Sequence, residues 1–228
     1  MGLRDFFARK AAKTARHEQY IKLKQAICGF SPNIEPEVLY IKENLPKLVQ
    51  PLDIIQRKSN LTAPAPGSSR MYYDRLIEEA MIMDDPEAFQ AVFSLCDNPN
   101  YCLVAQYGDL QQVKPLLYLA INKQHPQIAA FLIKDERTDI EFSGYQQEKG
   151  EKTDYDHPVQ MIDDELNTAG CDLGMYEAAA LLSERLAQAY PNHREEYTQN
   201  AKNYREVGKR QQDLARFSDE LTYVFARG

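Results

Sequence analysis

The sequence predicts an all-α fold, a short helical-repeat solenoid with N-terminal helices and a long C-terminal helix. Three observations carry that expectation. Leu76-Ile77-Glu78-Glu79-Ala80-Met81-Ile82-Met83-Asp84-Asp85-Pro86-Glu87-Ala88-Phe89 is echoed forty residues later by Leu116-Leu117-Tyr118-Leu119-Ala120-Ile121-Asn122-Lys123-Gln124-His125-Pro126-Gln127-Ile128-Ala129. In each copy an apolar helix meets a polar turn and then Pro86 or Pro126, a residue suited to the first turn of a second helix because its missing N–H would be unpaired there. Finally, Tyr197, Ala201, Tyr204, Val207, Gln211, Leu214, Phe217, Leu221 and Val224 step by three and four, a helical seam that must lie against something.

Taken in order, the chain opens with apolar residues at roughly helical spacing from Leu3 to Ile27. Gly29, Pro32 and Pro36 then break it, and Glu37–Leu48 and Leu52–Lys58 read as two shorter helices separated by Pro51, with Pro46 marking a kink or a boundary. Residues 1–58 thus form an N-terminal helical segment. Residues 59–70, rich in Pro, Ala, Ser and Gly, form an extended linker. The repeat region covers residues 71–188. Between its first two copies Tyr101–Tyr107 reads as a short helix closed by Gly108. A third copy begins at His157-Pro158-Val159 and resumes at Tyr176-Glu177-Ala178, with an insertion around Thr168–Asp172. The C-terminal helix, residues 192–226, caps the stack or pairs with another chain.

The second copy is similar to the ankyrin repeat, whose T-P-L-H-x-A opening is matched by Pro115-Leu116-Leu117-Tyr118-Leu119-Ala120 and whose turn and second helix are matched by Gln124-His125 and Ile128–Ile133. Gln124 stands where the family has glycine, and Asp84-Asp85 where it has Gly-His. The resemblance implies stacked helical pairs, a hydrogen-bonding role for His125 in the turn, and fingers that project toward a concave binding face. The finger position corresponds to Thr138–His157, which reads either as a lengthened acidic hairpin or as a solvated loop. The four scattered cysteines read as reduced thiols in a cytosol-like compartment, and since degenerate repeats of this kind recur among bacterial effectors that act inside a host cell, the resemblance implies the host cytosol if the chain is secreted.

Composition narrows the function classes. The net charge of −7 argues against nonspecific nucleic-acid binding by the body of the protein. Residues 1–30 carry seven basic groups against two acidic ones, while residues 135–172 carry twelve acids against three bases. The first segment supports a membrane-contacting reading through a basic amphipathic helix. The second supports a protein partner with a basic surface. Cys28, Cys96, Cys102 and Cys171 lack ligand spacing with histidine, and Asp163-Asp164-Glu165 splay around a helix, so no metal or other cofactor is expected. Glycine-rich phosphate loops and hydrolase motifs are absent.

The function expected from these residues is noncatalytic protein recognition, with the contact surface built from Tyr118, Asn122, Lys123, Gln124, Glu141, Tyr145, Glu148 and Glu151. The alternatives are a membrane-associated adaptor using residues 1–30, or an enzyme with a site near Cys171 and His157. The sequence leaves the oligomeric state open.

Overall fold

A computed structural model describes residues 3–29, 35–54, 56, 61–168 and 170–225, with the backbone alone for residues 3–7 and 218–225. The chain divides into two compact units, residues 1–108 and 109–228.

In the first unit, α1 (Leu3–Ile27) buries Tyr20, Leu23 and Ile27, and α2 (Glu35–Leu48) buries Ile41, Leu45 and Leu48. Pro46 lies in the last turn of α2, where its missing N–H removes the bond that would run back to the Lys42 carbonyl. A single 3-10 turn, Pro51–Asp53, stands where Leu52–Lys58 was expected to be helical, and the rest of that segment, Ile54 and Gln56 apart, lies outside the described residues. Helix α3 (Ser69–Ile82) is capped by the Ser68 hydroxyl, which accepts from the Met71 amide at 3.1 Å. Helix α4 (Pro86–Phe93) starts on proline as expected, and Asp85 caps it by accepting from the Glu87 and Ala88 amides at 2.9 and 3.0 Å. Tyr73, Leu76, Ile77, Ala80, Phe89 and Val92 are fully buried and form the centre of this core.

Arg16 ties these pieces together. Its guanidinium donates to Leu48 O, Gly67 O and Ser69 Oγ at 3.0, 3.2 and 2.8 Å, and lies 5.2 Å from the Tyr72 ring centroid. Ser69 Oγ in turn donates to Asp53 at 2.7 Å. One side chain therefore joins α1 to the end of α2, the linker and the start of α3.

The segment Tyr101–Tyr107 is not a helix. Cys102–Tyr107 forms strand β1, with Cys102 and Val104 buried and Leu103 and Ala105 less so, the period-two pattern of a strand. The side-chain amide of Gln56 bonds both backbone groups of Cys102, accepting from N at 2.8 Å and donating to O at 2.6 Å, as a neighbouring strand would.

The second unit begins with β2 (Leu110–Pro115), followed by α5 (Leu116–Asn122) and α6 (Pro126–Lys134). Strands β3 (Tyr145–Glu148) and β4 (Glu151–Asp154) follow, then α7 (Pro158–Leu166), α8 (Met175–Ala189), the 3-10 turn Pro191–His193 and α9 (Arg194–Phe225). The strands form an antiparallel sheet in the order β1-β2-β3-β4. This overturns the all-α expectation: the chain is mixed α/β, 63% helical with a four-stranded sheet. Tyr145 pairs with Val113 of β2 and with Asp154 of β4. Gly144, at φ +82°, permits the close passage of β3 over β2, since a Cβ there would meet Val113 O at 2.2 Å.

Of the two readings of Thr138–His157, the structure has the hairpin. Lys149 and Gly150 both take positive φ (50° and 91°), the pattern of a type I′ two-residue loop. The turns before Pro86 and Pro126 also match each other, with Asp84 at φ 50° and Gln124 at φ 55°.

Arg185 of α8 closes the end of α6. It donates to Ile133 O and Asp135 O at 2.6 and 2.8 Å, and to Glu136 O and Thr138 O at 3.2 Å each, satisfying carbonyls that a helix end leaves unpaired. Helix α9 packs on α8 at Gly208, where a Cβ would lie 2.7 Å from Tyr176 Cβ. Tyr204 donates to Asp163 of α7, and Arg205 makes two 3.0 Å bonds to Glu177 and one of 2.5 Å to Glu184. Of the expected C-terminal seam, Tyr197 and Tyr204 are half-buried, and Val207 is already exposed. Ala201 is buried, whereas Leu214 and Phe217 are 63% and 59% exposed, and the Leu221 and Val224 side chains lie outside the described residues.

Candidate partner-binding cleft

Helix α5 begins on Leu116 directly after β2, so its first turn is held by the sheet and Tyr118 is placed against the chain leaving β4. The Tyr118 ring stacks on Tyr155 with centroids 4.7 Å apart and planes 29° from parallel. The two rings and Met161 form the apolar part of a cleft of about 270 Å³. Asn122, one turn beyond Tyr118, lines it as well.

The rest of the lining is anionic: Asp154, Asp156, Asp164 and Glu165. Lys152 pairs with Asp154 at 2.6 Å, both side chains being largely exposed, and its ammonium also sits 4.6 Å from the Tyr145 ring centroid. Asp164 accepts from Gln160 at 3.0 Å and Glu165 from Gln124 at 2.7 Å. Among the described residues no cation pairs with Asp156, Asp164 or Glu165. Burial and the Asp156 carboxylate raise the Tyr118 pKa, and burial followed by the neighbouring Tyr118 raises that of Tyr155. The Tyr155 hydroxyl is shielded from solvent and has no hydrogen-bond partner among the described residues. The cleft therefore combines aromatic faces with uncompensated negative charge, and both attract a cation.

Of the residues expected from sequence to make the contact surface, Tyr118 and Asn122 line this cleft. Gln124 supports it from behind, donating to Glu165 and accepting from the Asp172 amide at 3.1 Å. Lys123 is exposed at the end of α5. Glu141 accepts from the Tyr190 hydroxyl, away from the cleft, and Tyr145 is engaged by Lys152. Glu148 and Glu151 face each other across the hairpin loop and line a separate open groove with Gln146, Lys149 and Thr153.

The cleft residues that sequence reasoning missed are Asp154, Tyr155, Asp156, Met161, Asp164 and Glu165. Their signal was the acid excess over residues 135–172, which does not say which acids converge.

Around Cys171, burial first, and then Glu165 and Asp172, push the thiol pKa up, and the sulfur lies 3.4 Å from Asp172 O. His157 and Cys171 make no hydrogen bond to each other among the described residues. In the basic N-terminal helix, Arg16 is committed as described and Lys24 is paired with Glu79. No helix among the described residues is long and apolar enough to cross a membrane, and no group of three potential metal ligands occurs there.

No family model matches this chain, and neither a curated protein nor a solved structure does.

Proposed function

We propose that the chain is a noncatalytic recognition module that takes a basic segment of a partner protein into the Tyr118–Tyr155 cleft. The observation that carries this reading is the stacked tyrosine pair bordered by Asp156, Asp164 and Glu165 without a paired cation among the described residues. An arginine or lysine on an aromatic face gains about 0.5–1 kcal/mol where exposed and about 2 where desolvated. The carboxylates add steering and specificity more than affinity. The helical pairs α3/α4, α5/α6 and α7/α8, with proline opening α4, α6 and α7, support reading the chain as degenerate ankyrin-like repeats. The proposed setting is cytosolic, in keeping with four free thiols. The bacterial-effector reading rests on the repeat resemblance alone.

The test is capture of a partner from cell lysate by wild type and by a variant combining Tyr118→Ala, Asp156→Asn and Asp164→Asn, with circular dichroism confirming equal helix content. The expected result is a partner that binds wild type through a basic segment, is released by high salt and is lost from the variant. A partner held equally by both proteins sinks the cleft as the recognition site.

A further inference from the structure

The cleft opens beside a strand whose outer backbone is unpaired. Glu148 and Glu151 flank the two-residue loop of the β3–β4 hairpin, so they are the hydrogen-bonded pair that closes it. Bonding alternates along an antiparallel ladder, which makes Gln146–Thr153 the next bonded pair, and the bond from Tyr155 N to Gly144 O at 3.2 Å continues the same alternation. Lys152 and Asp154 fall between these pairs. Their N–H and C=O groups therefore point away from β3. No backbone bond beyond the hairpin ladder is made by Glu151–Asp154 among the described residues, and all four residues are exposed. On β1 the fold satisfies such groups with the Gln56 amide. On β4 nothing among the described residues does.

Lys152 and Asp154 share one face of β4, and Asp154 also lines the cleft. A strand laid along β4 would place alternate side chains on that face, next to Asp154 and Asp156. The only cation of β4, Lys152, is folded onto Tyr145 and Asp154, so the surroundings of the edge remain dominated by carboxylates.

We propose that the basic segment binds in extended form as an added strand on β4, its backbone bonded to Lys152 and Asp154 and one cationic side chain seated over Tyr118 and Tyr155. This rests on the recognition reading above and specifies its mode. Strand addition draws affinity from the main chain and specificity from alternate side chains.

The experiment uses the full chain and three synthetic heptapeptides of alternating arginine and threonine: one unmodified, one N-methylated at the arginines, one N-methylated at the threonines. Methylation removes N–H donors without altering charge. In an added strand only one alternating set of N–H groups faces β4. The expected result is that one methylated peptide binds at least tenfold more weakly than the parent while the other stays within twofold, and that the parent weakens against a variant carrying Asp156→Asn and Asp164→Asn. If both methylated peptides match the parent, or both weaken alike, strand addition is overturned, while a cation-binding cleft survives provided the acid-to-amide variant still weakens the parent. If the parent itself does not bind, strand addition is overturned and the recognition reading is judged by the lysate capture.

Discussion

Within the first unit, the Tyr101 hydroxyl donates to the Asp74 carboxylate, and both residues are buried. Burial is the main cause that raises the Asp74 pKa from 3.8 to about 6, opposed by the Tyr101 hydrogen bond and the nearby Arg70 charge. The folded state therefore binds this proton more tightly than the unfolded chain does. Stability contributed through Asp74 is fully present below about pH 4, falls as pH rises toward about 6, and is flat above that, a loss of roughly 3 kcal/mol. Asp74→Asn keeps an acceptor for Tyr101 and cannot ionise. Unfolding free energies at pH 4 and pH 7 should show this loss in wild type and not in the variant; equal pH dependence in both would refute it.

Gly208 is expected to resist substitution despite its helical setting. In an exposed helix interior, alanine would gain about 1 kcal/mol over glycine. Here its Cβ would fall 2.7 Å from Tyr176 Cβ, where the backbone of α9 meets the root of the Tyr176 side chain. The steric cost, about 1–3 kcal/mol, should outweigh the propensity gain. Gly208→Ala should raise amide exchange in α9 between Tyr197 and Gly208; slower exchange would mean that the crossing yields readily.

Arg185 holds four carbonyls at and beyond the end of α6, so Arg185→Met should leave those that stay buried without a donor, at a cost of about 2–4 kcal/mol. Arg185→Lys should recover little, because an ammonium cannot span acceptors in a planar fork. Chemical denaturation of the three proteins measures this. A lysine variant as stable as wild type would show that charge at the helix end, not the fork, is what matters.

At Gln124, two effects of similar size oppose each other. Relief of the left-handed φ of 55° by Gln124→Gly is worth about 1–2 kcal/mol. The lost bonds to Glu165 and to the Asp172 amide are worth about 1 kcal/mol each. Overall stability should change by less than about 1 kcal/mol by this cancellation. The Asp172 amide should nevertheless exchange at least fivefold faster; unchanged exchange there would show that Gln124 does not hold that loop.

The helices were legible because their signals are local. Pro86, Pro126 and Pro158 each open a helix, and Asp85 caps one, all within a few residues of the apolar stripe that follows. The strands were not, because theirs are not local. Cys102–Tyr107 contains one β-branched residue, Val104, and a short apolar run of that length reads equally as a helix. Tyr145–Glu148 and Glu151–Asp154 are mostly polar and owe their conformation to pairing and to the Lys149-Gly150 loop. The cleft was half legible for the same reason. Tyr118 and Asn122 share one helix, whereas Asp156 and Asp164 reach them only through the fold of the intervening chain.

The Arg16 junction bears on the order in which the first unit is made. Two of its acceptors, Gly67 and Ser69, lie 51 and 53 residues downstream. During synthesis from the N-terminus, α1 leaves the ribosome long before those acceptors exist, and a guanidinium without its acceptors stays in water. The Arg16 junction can then close only once the start of α3 has been made, so what fastens α1 to the linker is completed by chain that lies 51 to 53 residues after Arg16.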